Sequence, residues 1–60
     1  MKAAELLKLY DAGQRDFRGE NLRGQNFRRK TLSGADFSST DIRSANFGQA
    51  NLIGANFSDA

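Results

Sequence analysis

Residues 35–59 read ADFSS-TDIRS-ANFGQ-ANLIG-ANFSD, five units of five residues, each with a large apolar side chain at its centre. Working outward, the same spacing extends back to residue 17. Phe17, Leu22, Phe27, Leu32, Phe37, Ile42, Phe47, Leu52 and Phe57 occupy every fifth position without a break. Phe, Leu and Ile make up 13 of the 60 residues, so nine consecutive hits have chance odds on the order of 1 in 10⁶. The residue before each centre is Asp16, Asn21, Asn26, Thr31, Asp36, Asp41, Asn46, Asn51 or Asn56. Ala35, Ala45, Ala50 and Ala55 stand two before it, and glycine closes several units, as at Gly19, Gly24, Gly34 and Gly54.

A period of five fits neither regular element. Five steps of an α-helix advance roughly 140° beyond a full turn, so the apolar set would wind around the helix. In a strand, side chains alternate, and an odd step sends successive centres to opposite faces. All nine centres point inward only if the chain turns once per unit, which makes a coil, and stacked coils make a solenoid.

The number of sides follows from the order of the centres. Phe alternates with an aliphatic residue from Phe17 to Phe57. Three sides would stack Phe on Leu in every column, and two would enclose nothing. Four sides keep the columns pure: Phe17–Phe37–Phe57, Leu22–Ile42, Phe27–Phe47 and Leu32–Leu52. Like rings one strand spacing apart, about 4.8 Å, stack with an offset.

The units ADFSS, ANFGQ, ANLIG and ANFSD resemble the pentapeptide-repeat family, whose pattern is A(D/N)LXX. The resemblance covers residues 15–60 and implies a right-handed quadrilateral β-helix with four repeats to the coil. It breaks in the first coil, where Arg15, Glu20, Gln25 and Lys30 replace the small residue; Thr40 is a milder exception. That position points inward in the family, so long polar side chains there imply a terminal coil with none beneath it.

Residues 1–12 read as a helix, with Ala3, Leu6, Leu7 and Tyr10 on one face and Gly13 as its stop. Its apolar stripe is placed to cover the first coil. The expected fold is therefore an all-β solenoid of about nine pentapeptides with a short N-terminal capping α-helix. Residues 1–13 form the cap and 14–60 the coil, together one domain.

Composition narrows the chemistry. The chain has no cysteine and no histidine, which removes disulfides, the commonest metal ligand and the commonest general base. No apolar run exceeds two residues, too short for a membrane span or a signal-peptide core, and a cytoplasmic location is the default. The net charge of +2 is unevenly placed: residues 1–30 carry eight basic and four acidic side chains, residues 31–60 one and three.

No residue is assigned a catalytic, cofactor-binding or metal-binding role. The Asp and Asn column reads as a set of turn residues that bond the nearby backbone. Ser33, Ser38, Ser39, Ser44 and Ser58 have no histidine to activate them, and Lys30 lies near Ser33 only at the capped end. Arg18, Arg23, Arg28, Arg29 and Arg43 fall at outward positions, where with Lys30 they form a solvated face or a basic patch. No aromatic is free to stack on bases, since every Phe is taken by the core. Ile53 is the one large apolar residue placed outward.

The expected function is a non-catalytic protein-interaction or scaffold module with a protein partner of unknown identity, forming the first segment of a longer repeat protein. The last coil either continues or associates end to end with another. Some proteins of the family resemble B-form DNA and bind type II topoisomerases in its place. The basic first coil and a stack of only about 11 Å at strand spacing oppose that reading here. Direct nucleic-acid binding through the arginines is a third, less favoured, expectation.

Overall fold

A computed structural model describes all 60 residues. One helix, α1 (Ala3–Asp11), is followed by coiled chain to the last residue. Ala3, Ala4, Glu5, Leu6, Leu7 and Lys8 are strong helix formers. The helix ends where Gly13 adopts φ +109°. There the Gly13 N–H donates to the Tyr10 carbonyl and the Gln14 N–H to the Leu9 carbonyl, both at 3.0 Å, the paired bonds of a Schellman stop.

Beyond α1, parallel bridges join Asp16 to Asp36, Asn21 to Asp41, Asn26 to Asn46, Thr31 to Asn51 and Asp36 to Asn56. Every bridge spans twenty residues, so four five-residue units make one coil. Its four sides are units 15–19, 20–24, 25–29 and 30–34, with 35–39, 40–44, 45–49 and 50–54 stacked above them and 55–59 beginning a third level. The expectation of an all-β chain is corrected in one respect: the bridges are isolated and no continuous strand forms. Each unit turns so soon that a single residue per side is extended enough to pair.

The turn repeats in kind. In every unit after the first, the central carbonyl accepts from the amide three residues on, as from Ala45 to Ile42 and from Ala50 to Phe47, both at 3.0 Å. The second residue after each centre has positive φ, the signature of a type II turn. Gly34 (φ +73°) meets that need without a side chain. Arg29, Ser39, Ser44, Gln49 and Asp59 meet it despite one, at φ 57–63°, a conformation that costs roughly 1–2 kcal/mol per non-glycine residue.

Unit 35–39 shows why the stack holds. The Ala35 N–H closes the preceding turn on Leu32 (3.2 Å). Asp36 donates down to the Arg15 carbonyl (2.8 Å), and Phe37 and Ser39 donate up to Asn56 (2.7 Å) and Ser58 (2.8 Å). The remaining amide, Ser38, donates to Asp36 Oδ1 at 2.9 Å. All five amides are bonded, as an ordered coil without regular strands requires.

The core lies between α1 and the second level. Leu6, Tyr10, Phe17, Leu22, Phe27, Leu32, Ala35 and Phe37 are buried. Phe37 stacks on Phe17 at 5.8 Å and on Phe57 at 5.2 Å between ring centroids, and Phe27 stacks on Phe47 at 5.2 Å. The nine centres are not equally enclosed: Ile42, Phe47, Leu52 and Phe57, with no level above them, are only partly buried.

Candidate interaction surfaces

Eight of the nine residues preceding a centre use a side-chain oxygen to accept the backbone N–H two residues on. Asp16 accepts from Arg18 and Asn21 from Arg23 (both 3.1 Å), Asn46 from Gly48 (2.8 Å) and Asn51 from Ile53 (3.1 Å). Asn26, Asp36, Asp41 and Asn56 do the same. These short bonds hold the first outward position of each unit in place. Thr31 makes no such bond, and the Ser33 N–H it would serve has no protein acceptor.

The arginines are divided among the sides. Arg18 forms a two-pronged pair with Asp16 (both contacts 2.9 Å) and approaches Asp36 at 3.9 Å. On the next side, Arg43 grips Asp41 (3.0 and 2.7 Å), and Arg23 lies 3.9 Å from the same carboxylate. The hydrogen bonds from Arg43 hold the Asp41 carboxyl down at about 2, and those from Arg18 lower Asp16 in the same way. Three of the five outward arginines therefore lie within ion-pair distance of a carboxylate, Arg23 and Arg43 sharing one. Arg28 lies along Gly48, Arg29 donates to Gln49 Oε1 at 2.8 Å, and neither forms an ion pair. Of the outward basic residues, Arg28, Arg29 and Lys30 have no carboxylate partner. Ile53 is 77% exposed on the fourth side, above Ser33, where its carbonyl accepts the Gly34 N–H at 2.9 Å.

The lower face is closed by α1. Gln25 Oε1 accepts the Ala3 N–H at 2.9 Å, at a helix start that no side chain of its own caps. Arg15 donates to the Tyr10 carbonyl at 2.8 Å, and its guanidinium carbon lies 3.6 Å from the Tyr10 ring centroid. The Tyr10 hydroxyl donates to the Ser33 carbonyl at 2.7 Å, Gln14 Nε2 to that of Asp16 at 2.9 Å, and the Met1 ammonium to that of Asn21 at 2.8 Å. Arg15 and Gln25, which break the repeat pattern, thus hold the two ends of α1. The pattern break was legible in the sequence, but the contacts depend on how the helix lies across the coil.

The upper face is open. The amides of Ile42, Phe47, Leu52 and Phe57, and of the residue two places after each, have no protein acceptor. The carbonyls of Thr40, Ala45, Ala50 and Ala55 face the same way without donors. Inside this rim lie the partly buried side chains of Ile42, Phe47, Leu52 and Phe57.

A coil of stacked five-residue units, closed at one end by a helix, defines a repeat-protein module of the solenoid class. Residues 31–60, half of the chain, match the family described as pentapeptide repeats (8 copies), and the chain belongs to that family. Its members are generally non-catalytic. A comparison with curated proteins finds no match. No helix is long and apolar enough to cross a membrane.

Proposed function

We propose that the chain is a non-catalytic protein-interaction module, a right-handed quadrilateral coil stack that presents fixed side chains to another protein. The supporting observation is the bonding of unit 35–39, in which every amide is held by its own turn or by a neighbouring coil. Such a backbone loses little further entropy on binding, and pre-ordered surfaces bind with less cost than mobile ones.

The side faces differ in what they offer. Arg18, Arg23 and Arg43 are occupied by Asp16, Asp36 and Asp41. Arg28, Arg29 and Lys30 favour a second reading, weak binding of nucleic acid, because none of them has a carboxylate partner. Titration with duplex DNA and with a purified type II topoisomerase, at low and high salt, separates the readings. The module predicts no interaction with either. DNA affinity falling steeply with salt, as phosphate contacts require, overturns it in favour of the second reading, and topoisomerase binding overturns it in favour of DNA mimicry.

A further inference from the structure

The outer wall is unevenly charged. Its third and fourth sides, residues 25–34 with 45–54 stacked above them, carry Arg28, Arg29 and Lys30 and no acidic residue. The first and second sides, residues 15–24, 35–44 and 55–59, carry four basic and five acidic residues, and residues 1–14 carry two of each. The third and fourth sides therefore stand at +3 and the rest of the chain at −1, so the net charge of +2 arises at one corner of the coil.

That corner also has unused binding groups. Arg28 lies against Gly48, where an added Cβ would come within 3.7 Å of its Cγ, and Arg29 Nε is held by Gln49 Oε1 at 2.8 Å. Both side chains are laid against the second level, and neither meets a carboxylate. On the fourth side, the Ser33 N–H is the one amide directly after a centre that has no acceptor in the chain, and a polar backbone group takes a partner where one is offered. Above it, Ile53 is exposed beside Gly34 and Gly54, which add no side chain to the wall.

The chain itself shows which anion suits such groups. Asp16 and Asp41 each accept both the backbone N–H and the guanidinium of the arginine two residues on. The third side has free guanidiniums and the fourth a free amide, and both lack the carboxylate. Nucleic acid fits the corner less well. Three cations cover only about three phosphates, no aromatic is free to stack on a base, and Ile53 is an apolar contact that a phosphate backbone does not use. An acidic protein segment can engage all of these groups at once.

We propose that the corner between the third and fourth sides docks an acidic protein segment that carries an apolar side chain among its carboxylates. Arg28, Arg29 and Lys30 hold the carboxylates, the Ser33 amide donates to one of them, and Ile53 receives the apolar side chain. This rests on the interaction-module reading and names the partner's chemistry.

The test titrates the isotopically labelled protein with the blocked peptide acetyl-EELEE-amide and follows the backbone amide resonances. Saturable shifts at Arg28, Arg29, Ser33 and Ile53 are expected, with affinity falling about threefold or more as salt rises from about 0.05 to about 0.5 M. The uncharged acetyl-QQLQQ-amide should not produce them. Arg28→Gln combined with Arg29→Gln should weaken the acidic peptide by about fivefold or more, and Arg43→Gln, on another side, by less than about twofold. Gln49 already holds φ 57°, so glutamine suits position 29, and unchanged exchange at the Phe37 amide shows that the double variant is folded. No saturable shift, shifts confined to the first and second sides, or an affinity that the double variant leaves unchanged overturns the proposal. Duplex DNA that shifts the same residues at lower concentration than the peptide overturns it in favour of nucleic acid and defeats the module reading as well. Peptide and DNA that both leave the spectrum unchanged defeat this proposal alone, so the two failures are distinguishable.

Discussion

Arg15 lies over the face of Tyr10, its guanidinium carbon 3.6 Å from the ring centroid, while its Nη1 donates to the Tyr10 carbonyl at 2.8 Å. A cation thus sits at the carboxyl end of α1, where the helix dipole favours it, and Gln25 holds the opposite end through the Ala3 N–H. Arg15→Ala is expected to cost about 1–2 kcal/mol, and Gln25→Ala about 1 kcal/mol. In both variants exchange at the α1 amides should rise before exchange at Phe17 or Phe27. Variants that melt like the parent, with α1 protection unchanged, would show that the helix is held by apolar contact alone.

Phe37 is fully buried, stacked between Phe17 and Phe57 and edge-on to Phe47 at 6.2 Å. Phe37→Ala should cost about 3–5 kcal/mol, as for a large aromatic removed from a packed core. Ser38→Ala, one residue along and outward, should change stability by less than about 0.5 kcal/mol, and Phe57→Ala should cost less than Phe37→Ala because its ring is only partly covered. Denaturant melts of the three variants give the order directly, and equal shifts would contradict the assigned columns.

The period and the alternation of centres were legible because both follow from simple geometry: one turn per unit, and like rings in one column. The bonding of Asp and Asn was legible for a related reason, since donor and acceptor lie two residues apart. Other features were hidden. Ser39, Ser44 and Gln49 hold positive φ where other units place glycine, because the turn imposes the conformation regardless of the side chain. The pairing of Arg18 and Arg43 was missed because an outward arginine reads as solvated until its reach to Asp16 or Asp41 is seen. Nor does the repeat distinguish an enclosed centre such as Phe37 from a half-covered one such as Phe57, since burial depends on the level above.

Thr31 is the one residue of its column that leaves the amide two places on without an acceptor. Thr31→Asn should supply that bond to Ser33, as Asn51 does for Ile53 one level up at 3.1 Å, and stabilise the chain by about 0.5–1.5 kcal/mol. A raised melting temperature with slower exchange at Ser33 is the expected outcome. A lowered one would mean that this corner has no room for the longer side chain.

Hydrogen bonds from Arg43 hold the Asp41 carboxyl at about 2, well below the ordinary carboxylate range. Because the folded-state value is depressed, the associated stability is fully present above the unfolded value and is lost as pH falls from about 4 through about 2. Asp16 contributes in the same sense through Arg18. Arg43→Gln should return the Asp41 titration, followed by carboxyl NMR, towards the ordinary carboxylate range. An unchanged midpoint would assign the shift to another cause.

The most direct measurement compares one residue type at three levels of one column. The Phe17 amide donates to Asp36 at 2.9 Å and the Phe37 amide to Asn56 at 2.7 Å, whereas the Phe57 amide has no acceptor. Site-resolved hydrogen exchange on the isolated chain should show Phe17 and Phe37 protected and Phe57 exchanging near the rate of an open chain. Equal protection at all three, or none at Phe37, would contradict the twenty-residue coil and the open upper rim together.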